Sequence, residues 1–284
     1  MALDQVDVDK DYPHEKQMGF FDHIDELRSR LVRVAYALLI TTIAAFALVE
    51  HLFELIVLSP FKDDFWGYRF FCKAGQLVMG SDALCWQPPS LTMQSMQIQG
   101  QFVSAFKISF VAAFVFSFPY IVNQLWKFIK PALSSAEIKR VQKSLVVVSL
   151  LFFAGVFFAY FLLVPVATNF LLTYKLNDDI QNIITISSVT GFVSFMSLAT
   201  GLVFEMPVLI YILASIGFVT SALLKKYWRY AAVIVFIIAG IATPSPDMFS
   251  QLLLGIPLML LYLAGIYIAK GVEKRREERE NEKE

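Results

Sequence analysis

The chain has 284 residues, of which 57% are hydrophobic and only 17% are charged, and its formal net charge is zero. About a quarter of the residues of a soluble domain are charged, so this composition indicates an integral membrane protein, and zero net charge gives no indication of nucleic-acid binding. Two cysteines and three histidines are too few and too scattered for a zinc or haem site, so no metal or cofactor is expected.

Six apolar segments have or approach the length that a helix needs to cross about 30 Å of hydrocarbon. They lie at 31–49, 102–122, 144–165, 191–213, 230–243 and 249–269. The fifth is short and is not expected to cross the full thickness. Because lipid offers no partners to open backbone groups, each segment is predicted to be helical. The predicted fold class is an all-α integral membrane protein with six transmembrane helices.

Lysine and arginine are distributed unequally between the two sides of this arrangement. Because successive segments alternate in direction, 19 of these residues lie on the side of the two termini and five on the other. The positive-inside rule therefore predicts that both termini are cytoplasmic. The predicted organisation is a flexible tail at 1–18, a membrane domain at 19–270 with an external loop at about 50–101, and a charged tail at 271–284 that is frayed or disordered.

Residues 20–33 are predicted to form an amphipathic helix that lies on the membrane surface before the first span. Its apolar stripe contains Phe20, Ile24, Leu27 and Leu31, and its polar stripe contains Asp22, Glu26, Ser29 and Arg33. Glu26 is therefore expected to face water. Spacing alone favours a modest role for it, an ion pair with Arg30 one turn later that contributes a few tenths of a kcal/mol.

The external loop contains both cysteines, Cys72 and Cys85. Disulfides form and persist outside the cytoplasm, so a bond between the two that closes a small surface loop is expected. The alternative is that both remain as unpaired thiols.

The loop between the second and third apolar segments is basic and leads into Glu137. Ser134 and Glu137 fit a capping box, with Ser134 as the N-cap of the third membrane helix. Spacing alone assigns Glu137 this structural role. A carboxylate at a helix N-terminus also stays ionised and fixed in place, which suits it to receive a guanidinium group.

Glu205 lies inside the fourth apolar segment, two residues before Pro207. A carboxyl group there is costly unless it faces protein or a water-filled cavity, and Pro207 is expected to kink the helix. Two interpretations stay open, a functional group or a protonated carboxyl bonded to a neighbouring helix. Gln124 and Gln251 are polar residues at the ends of spans, where interfacial hydrogen bonding is a sufficient explanation.

The sequence contains no P-loop and no His-Glu-x-x-His, Gly-x-Ser-x-Gly or Cys-x-x-Cys motif. The protein is therefore not expected to be an enzyme or, by itself, an ATP-driven pump.

Several stretches, in register along the chain, resemble the TatC family, the multi-spanning receptors of twin-arginine protein translocation. They are 23–31 (HIDELRSRL), 118–133 (FPYIVNQLWKFIKPAL) with Glu137, 204–207 (FEMP), and 243–251 (TPSPDMFSQ) followed by 256–257. Two features depart from the family pattern. The external loop is long and carries two cysteines, and Asp25 adds a second acid beside Glu26.

The resemblance implies a concave, glove-like helical bundle in the plasma (inner) membrane that binds Arg-Arg signal peptides of folded proteins on its cytoplasmic face. It implies partners of the TatA and TatB type, which are single-span proteins with amphipathic helices. It also implies that export is driven by the proton gradient rather than by ATP. The surrounding membrane lipid is the remaining expected partner.

The resemblance also assigns residues to the site. Glu26 and Glu137 are implied to pair with the two signal-peptide arginines, because carboxylate and guanidinium groups can form bidentate pairs that lysine cannot reproduce. The same site is implied to include Asp25, Arg28, Gln124 and Phe128. Glu205 and Gln251 are implied to be polar groups embedded in the membrane.

A different class of function stays open beside this one. The chain could be a secondary transporter or channel for a small solute, with Glu205 as the group that couples to a proton or ion. Such a protein would take up solute by itself, whereas a receptor would bind an Arg-Arg peptide and transport nothing alone.

Overall fold

The computed structural model describes residues 20–85, 93–129, 135–177, 183–243 and 248–281. Its helices are α1 (Phe20–Ala47), α2 (Val49–Leu52), α3 (Trp66–Met79), α4 (Gly100–Ile129), α5 (Ser135–Phe158), α6 (Val164–Thr173), α7 (Ile186–Val203), α8 (Met206–Ser215), α9 (Ser221–Lys226), α10 (Trp228–Ala242) and α11 (Met248–Asn281). Two π-helical segments, Phe53–Leu58 and Ala159–Leu163, and two 3₁₀ turns, Ser59–Phe61 and Asp82–Leu84, complete the helical structure of these residues.

Five helical segments of the described chain are long and apolar enough to cross a membrane. They are Ile24–Ala47, Gly100–Phe128, Leu145–Thr173, Ile186–Ser215 and Ser250–Arg275. A sixth apolar helix, Trp228–Ala242, has 15 residues and is therefore only about 22 Å long. The prediction of an all-α membrane protein with six membrane helices, the fifth of them short, is confirmed.

The first helix differs from the prediction. α1 runs without interruption for 28 residues, so residues 20–33 are the first part of a membrane helix and not a separate element on the membrane surface. At 1.5 Å per residue this helix is about 42 Å long and exceeds the hydrocarbon thickness by roughly 12 Å. Its first turns therefore extend beyond the hydrocarbon at the end of the bundle that carries most cations.

Helix α4 packs against α1, α5 and α7. The main core draws its side chains from several spans and is almost entirely aliphatic. Its fully buried members include Ile108, Leu163, Val193, Met196, Leu254 and Leu258. Such uniform apolar packing holds the spans together through close contact, since lipid gives no hydrophobic driving force between helices.

Helices α5 and α7 approach closely at two glycines. A Cβ atom on Gly155 would lie 2.9 Å from the Cα of Gly201 and 2.8 Å from the side chain of Phe204. The ring of Phe152 also lies against Gly201 and stacks on that of Phe118 in α4, with centroids 3.6 Å apart. Small residues and stacked aromatic rings therefore fix the position of α5 against α4 and α7.

The described parts of the predicted external loop are folded. Cys72 of α3 and Cys85 form a disulfide, and strands β1 (Met93–Gln94) and β2 (Ile184–Thr185) pair in parallel, with Met93 opposite Ile184. The strand pair joins the first external loop to the loop before α7. Gly67 brings α3 close to the π-helical segment of the third span, since a Cβ there would lie 2.3 Å from the carbonyl oxygen of Phe161.

The last helix extends past the membrane. α11 continues without a break through residue 271 to Asn281, so this charged tail is helical as far as the structure describes it. Glu273 of α11 accepts hydrogen bonds from the backbone N–H and the hydroxyl of Ser221, the first residue of α9. The hydroxyl of Tyr262 donates to the carbonyl of Leu224 at 2.9 Å. These bonds hold the short helix α9 on α11.

Candidate functional site

Three polar side chains meet between α1 and α4. Arg30 Nη2 donates to Glu26 Oε1 at 3.0 Å, and Arg30 Nη1 donates to Gln124 Oε1 at 3.4 Å. The side chains of Arg30 and Glu26 are 21% and 19% exposed, and Gln124 is 4% exposed. The second contact is long for a hydrogen bond, so the ion pair is the stronger of the two. We call these three residues the α1–α4 polar cluster.

The packing of α1 on α4 fixes the position of this cluster. The hydroxyls of Thr41 and Ser117 lie 3.0 Å apart, and the rings of Phe46 and Phe102 make an edge contact with centroids 6.1 Å apart. The two helices therefore touch through side chains at three levels along their length. Such a register leaves Glu26 and Gln124 little freedom to move apart.

One oxygen of Glu26 has no hydrogen-bond partner among the described residues. This atom, Oε2, is buried. A buried carboxylate oxygen without a donor is costly, because it has lost water and gained nothing in return. Arg30 occupies the other oxygen, so Glu26 can accept one more charge-assisted hydrogen bond, for which a second guanidinium group is a suitable donor.

The expectation that Glu26 faces water is wrong. Its side chain turns towards α4, while Ile24 and Leu31 are 46% and 53% exposed on the outer surface of α1. Arg30, which is bonded to both Glu26 and Gln124, holds the carboxylate of Glu26 towards α4. The ion pair with Arg30, favoured by the spacing, is present.

The other residues assigned to this site belong to α1 and α4 and are near the cluster in sequence. Asp25 and Arg28 are exposed on α1, next to Glu26 in sequence. Phe128 lies four residues after Gln124 on the same face of α4 and is half-buried. Asp25 and Arg28 are therefore exposed at the cation-rich end of the bundle, and Phe128 lies one turn beyond Gln124 on α4.

The second predicted carboxylate is that of Glu137. Glu137 belongs to α5, which begins at Ser135, but its side chain lies outside the part of the structure that is described, as does the whole of Ser134. The capping box and the distance from Glu137 to Glu26 therefore stay predictions. The chain order nevertheless puts the start of α5 at the same end of the bundle as the end of α4 and the start of α1.

Glu205 lies at an interruption between α7 and α8. Both of its carboxyl oxygens are buried and make no hydrogen bond of ordinary geometry with the described residues. The backbone of Phe152 in the neighbouring helix α5 interacts with the carboxyl, so a protonated carboxyl bound to that helix stays open beside a functional group. Pro207 has no N–H to donate to the carbonyl of Val203, which agrees with the predicted kink. The adjacent Phe204 packs against Gly155 of α5, so Glu205 belongs to the α5–α7 contact and not to the α1–α4 polar cluster.

Gln251 has a clear structural partner. Its Nε2 donates to the carbonyl oxygen of Phe236 at 2.9 Å and so links α11 to α10. Gly240 makes room for this contact, because a Cβ there would lie 3.2 Å from the same nitrogen. The short fifth helix is thereby tied to the sixth by a side-chain bond inside the membrane.

The contact between Arg30 and Gln124 was missed by the sequence analysis. The two residues are 94 positions apart in sequence, and the residue pattern of neither helix indicates a contact with the other helix. The i,i+4 spacing indicates Arg30 as a partner of Glu26. For Gln124, the sequence indicates only a polar residue at the end of a span. Only the antiparallel packing of α1 and α4 brings the two together.

The fold and this site define a multi-spanning helical membrane protein with a polar cluster at one end of its bundle. Comparison with known proteins gives the family. The family model for the Sec-independent protein translocase protein (TatC) matches residues 22–257, and the chain belongs to this family.

Several relatives support the assignment. The TatC protein of Blattabacterium is 36% identical over 92% of this chain and 98% of its own length, and that of Carboxydothermus hydrogenoformans is 32% identical over 92% and 96%. A crystal structure of a twin-arginine translocase receptor, TatC, is 30% identical, covers 88% of this chain and 99% of its own, and superposes with a TM-score of 0.67. The relatives are named as components of a protein translocase, which is a transport role rather than catalysis.

Proposed function

We propose that this protein is the receptor and core subunit of a twin-arginine translocase, and that it binds Arg-Arg signal peptides of folded proteins. The observation that carries the proposal is Glu26, which holds one guanidinium on Oε1 and keeps Oε2 buried and without a donor among the described residues. A site that already holds arginine by a charge-assisted bond is chemically suited to a second arginine.

The two carboxylates divide the recognition between them. Glu26 receives one arginine of the signal at Oε2, and Glu137, in the first turn of α5, receives the other. Asp25, Arg28, Gln124 and Phe128 form the surroundings of the pair. The positive field of the cation-rich end disfavours a cationic peptide in general, so binding depends on these carboxylates and selects a peptide that can meet both.

The rest of the proposal concerns partners, energy and location. Single-span proteins of the TatA and TatB type bind the bundle, the proton gradient drives export, and the protein lies in the plasma (inner) membrane with both termini cytoplasmic. Glu205 and Gln251 lie within the spans and serve steps after recognition. The membrane domain comprises residues 19–270, with 1–18 and 271–284 as cytoplasmic tails.

A binding assay tests the proposal directly. The purified full chain in detergent is titrated with a fluorescent Arg-Arg signal peptide and with the same peptide carrying Lys-Lys, and solute uptake is measured in liposomes that contain the protein alone. A receptor should bind the Arg-Arg peptide at least about tenfold more tightly, which corresponds to about 1.4 kcal/mol, and should transport nothing. Equal affinity for both peptides would exclude the carboxylate pair as the basis of recognition.

A further inference from the structure

A cavity of about 260 Å³ opens between α11 and the segment that joins α9 to α10. It is lined by Lys225, Trp228, Leu263, Ile266 and Tyr267. One cation, two aromatic residues and two aliphatic residues therefore surround a single space. This cavity lies apart from the α1–α4 polar cluster, on helices that do not contribute to it.

The walls of the cavity are held in place by bonds between α9 and α11. Glu273 accepts two hydrogen bonds from Ser221, and Tyr262 donates to the carbonyl of Leu224. Lys225 follows Leu224 directly, so its backbone is fixed over the cavity from both ends of the short helix. A site whose walls are fixed in advance loses little conformational entropy on binding.

The charge at the cavity mouth is positive. Lys225 forms no ion pair with a carboxylate among the described residues. The neighbouring cations stand over rings, with Lys226 5.7 Å from the centroid of Tyr227 and Arg229 6.0 Å from that of Trp228. Glu273, an acid on the facing helix, is bonded to Ser221. Lys225 is therefore available to an external anion.

The lining of the cavity indicates which anion it receives. Leu263 and Ile266 belong to the apolar span Ser250–Arg275, whereas Lys225 lies just before the first residue of the short apolar helix that begins at Trp228. Trp228 and Tyr267 are both exposed, as is common for aromatic residues at the membrane boundary. A cation, aromatic rings and aliphatic side chains in one lining can meet the phosphate, the glycerol and an acyl chain of a phospholipid.

We infer that this cavity binds one anionic phospholipid from the surrounding leaflet. The phosphate accepts a hydrogen bond from the ammonium group of Lys225, and the upper part of an acyl chain lies against Leu263 and Ile266. The inference is independent of the proposed receptor function, since it uses neither Glu26 nor Glu137.

Native mass spectrometry of the full chain in detergent tests the site, with phosphatidylglycerol and phosphatidylcholine as probes. Wild type should retain one phosphatidylglycerol at least about tenfold more strongly than phosphatidylcholine. Lys225→Gln should reduce the retention of phosphatidylglycerol about tenfold. Lys226→Gln is the matched control, because it removes the same charge from the adjacent residue, which does not line the cavity. Lys226→Gln should reduce the retention of phosphatidylglycerol by no more than about fivefold, because it removes only the diffuse electrostatic attraction of one lysine.

A second variant tests the shape of the cavity independently of its charge. Leu263→Trp fills the floor while every cation stays, so it should release the lipid although the attraction is unchanged, and its thermal unfolding temperature shows whether the bundle is intact. Three results would overturn the inference: no preference for phosphatidylglycerol in wild type, equal losses in Lys225→Gln and Lys226→Gln, or undiminished retention in a folded Leu263→Trp variant.

Discussion

Arg30 occupies one oxygen of Glu26 at a distance of 3.0 Å, while the other oxygen of the same carboxylate is buried without a donor in the described structure. The pair is therefore half of a bidentate guanidinium site. Gln124 holds the far side of Arg30 at 3.4 Å, so the guanidinium stays beside Glu26 rather than covering both oxygens. The consequences of this arrangement can be tested separately for Arg30 and for the carboxylates.

Arg30→Gln should strengthen binding of the Arg-Arg signal peptide. The guanidinium of Arg30 repels an incoming arginine and shares its carboxylate, and a repulsion between unit charges about 4 Å apart in water costs about 1 kcal/mol. Removing it should raise the affinity about fivefold, as measured by peptide titration. Arg33→Gln on the exposed side of α1 removes the same charge outside the cluster and should change affinity by less than twofold. Weaker binding in Arg30→Gln would mean that Arg30 positions Glu26 instead of competing for it.

Glu26→Gln and Glu137→Gln should each weaken signal binding by roughly 10- to 150-fold. A hydrogen bond to a charged group contributes about 1.5–3 kcal/mol, and the amide keeps the shape of the side chain while it removes the charge. The double variant should bind Arg-Arg and Lys-Lys peptides almost equally. Glu54→Gln, an exposed carboxylate in the external π-helical segment, is the matched control and should behave as wild type. Unchanged Arg-Arg preference in the double variant would direct the search to Asp25.

Glu205→Ala should impair export of a folded cargo more than it impairs signal-peptide binding. The carboxyl lies at the break between α7 and α8, away from the α1–α4 polar cluster, and its oxygens make no hydrogen bond of ordinary geometry with the described residues. Glu205→Gln should be milder, because the amide can still form hydrogen bonds. Export by membrane vesicles and peptide titration measure the two effects. Equal tolerance of Ala, Gln and Leu would make this residue dispensable.

Gly155→Ala and Gly191→Ala should change stability in opposite directions. A Cβ at Gly155 would lie 2.9 Å from the Cα of Gly201, so α5 and α7 must separate, at a cost of about 1–3 kcal/mol. A Cβ at Gly191 meets nothing within 4 Å, and alanine in a helix is favoured over glycine by about 1 kcal/mol. Thermal unfolding in detergent compares the two. A stabilised Gly155→Ala variant would show that the helices tolerate a wider separation.

Reporter fusions should place Asp82 and Asn177 outside the cell and a fusion after Lys274 in the cytoplasm. The reason is the unequal distribution of lysine and arginine, 19 on the side of the termini and five on the other. A paired alkaline-phosphatase and fluorescent-protein fusion at each position reports both sides. Fluorescence without phosphatase activity at Asp82 would reverse the proposed orientation.

The sequence by itself determined the features that depend on nearby residues. Apolar runs of sufficient length predicted the six helices, and the brevity of one run predicted the short α10. The spacing of Glu26 and Arg30 predicted their ion pair, and Pro207 predicted the interruption beside Glu205. Each follows from local chemistry: transfer into lipid, the 3.6-residue period of a helix, and the missing N–H of proline.

The tertiary structure decided which surface each side chain meets. Periodicity showed that Glu26 and Ile24 lie on different faces of α1, but it could not show that Glu26 and Arg30 turn towards Gln124 while Ile24 is exposed. The same limit applies to Glu205, whose interaction with the backbone of Phe152 depends on how α5 packs against α7, and to the cavity above Leu263, which exists only because α9 is tied to α11. A helical period specifies a face, whereas the partner of that face depends on the packing of helices that are far apart in sequence.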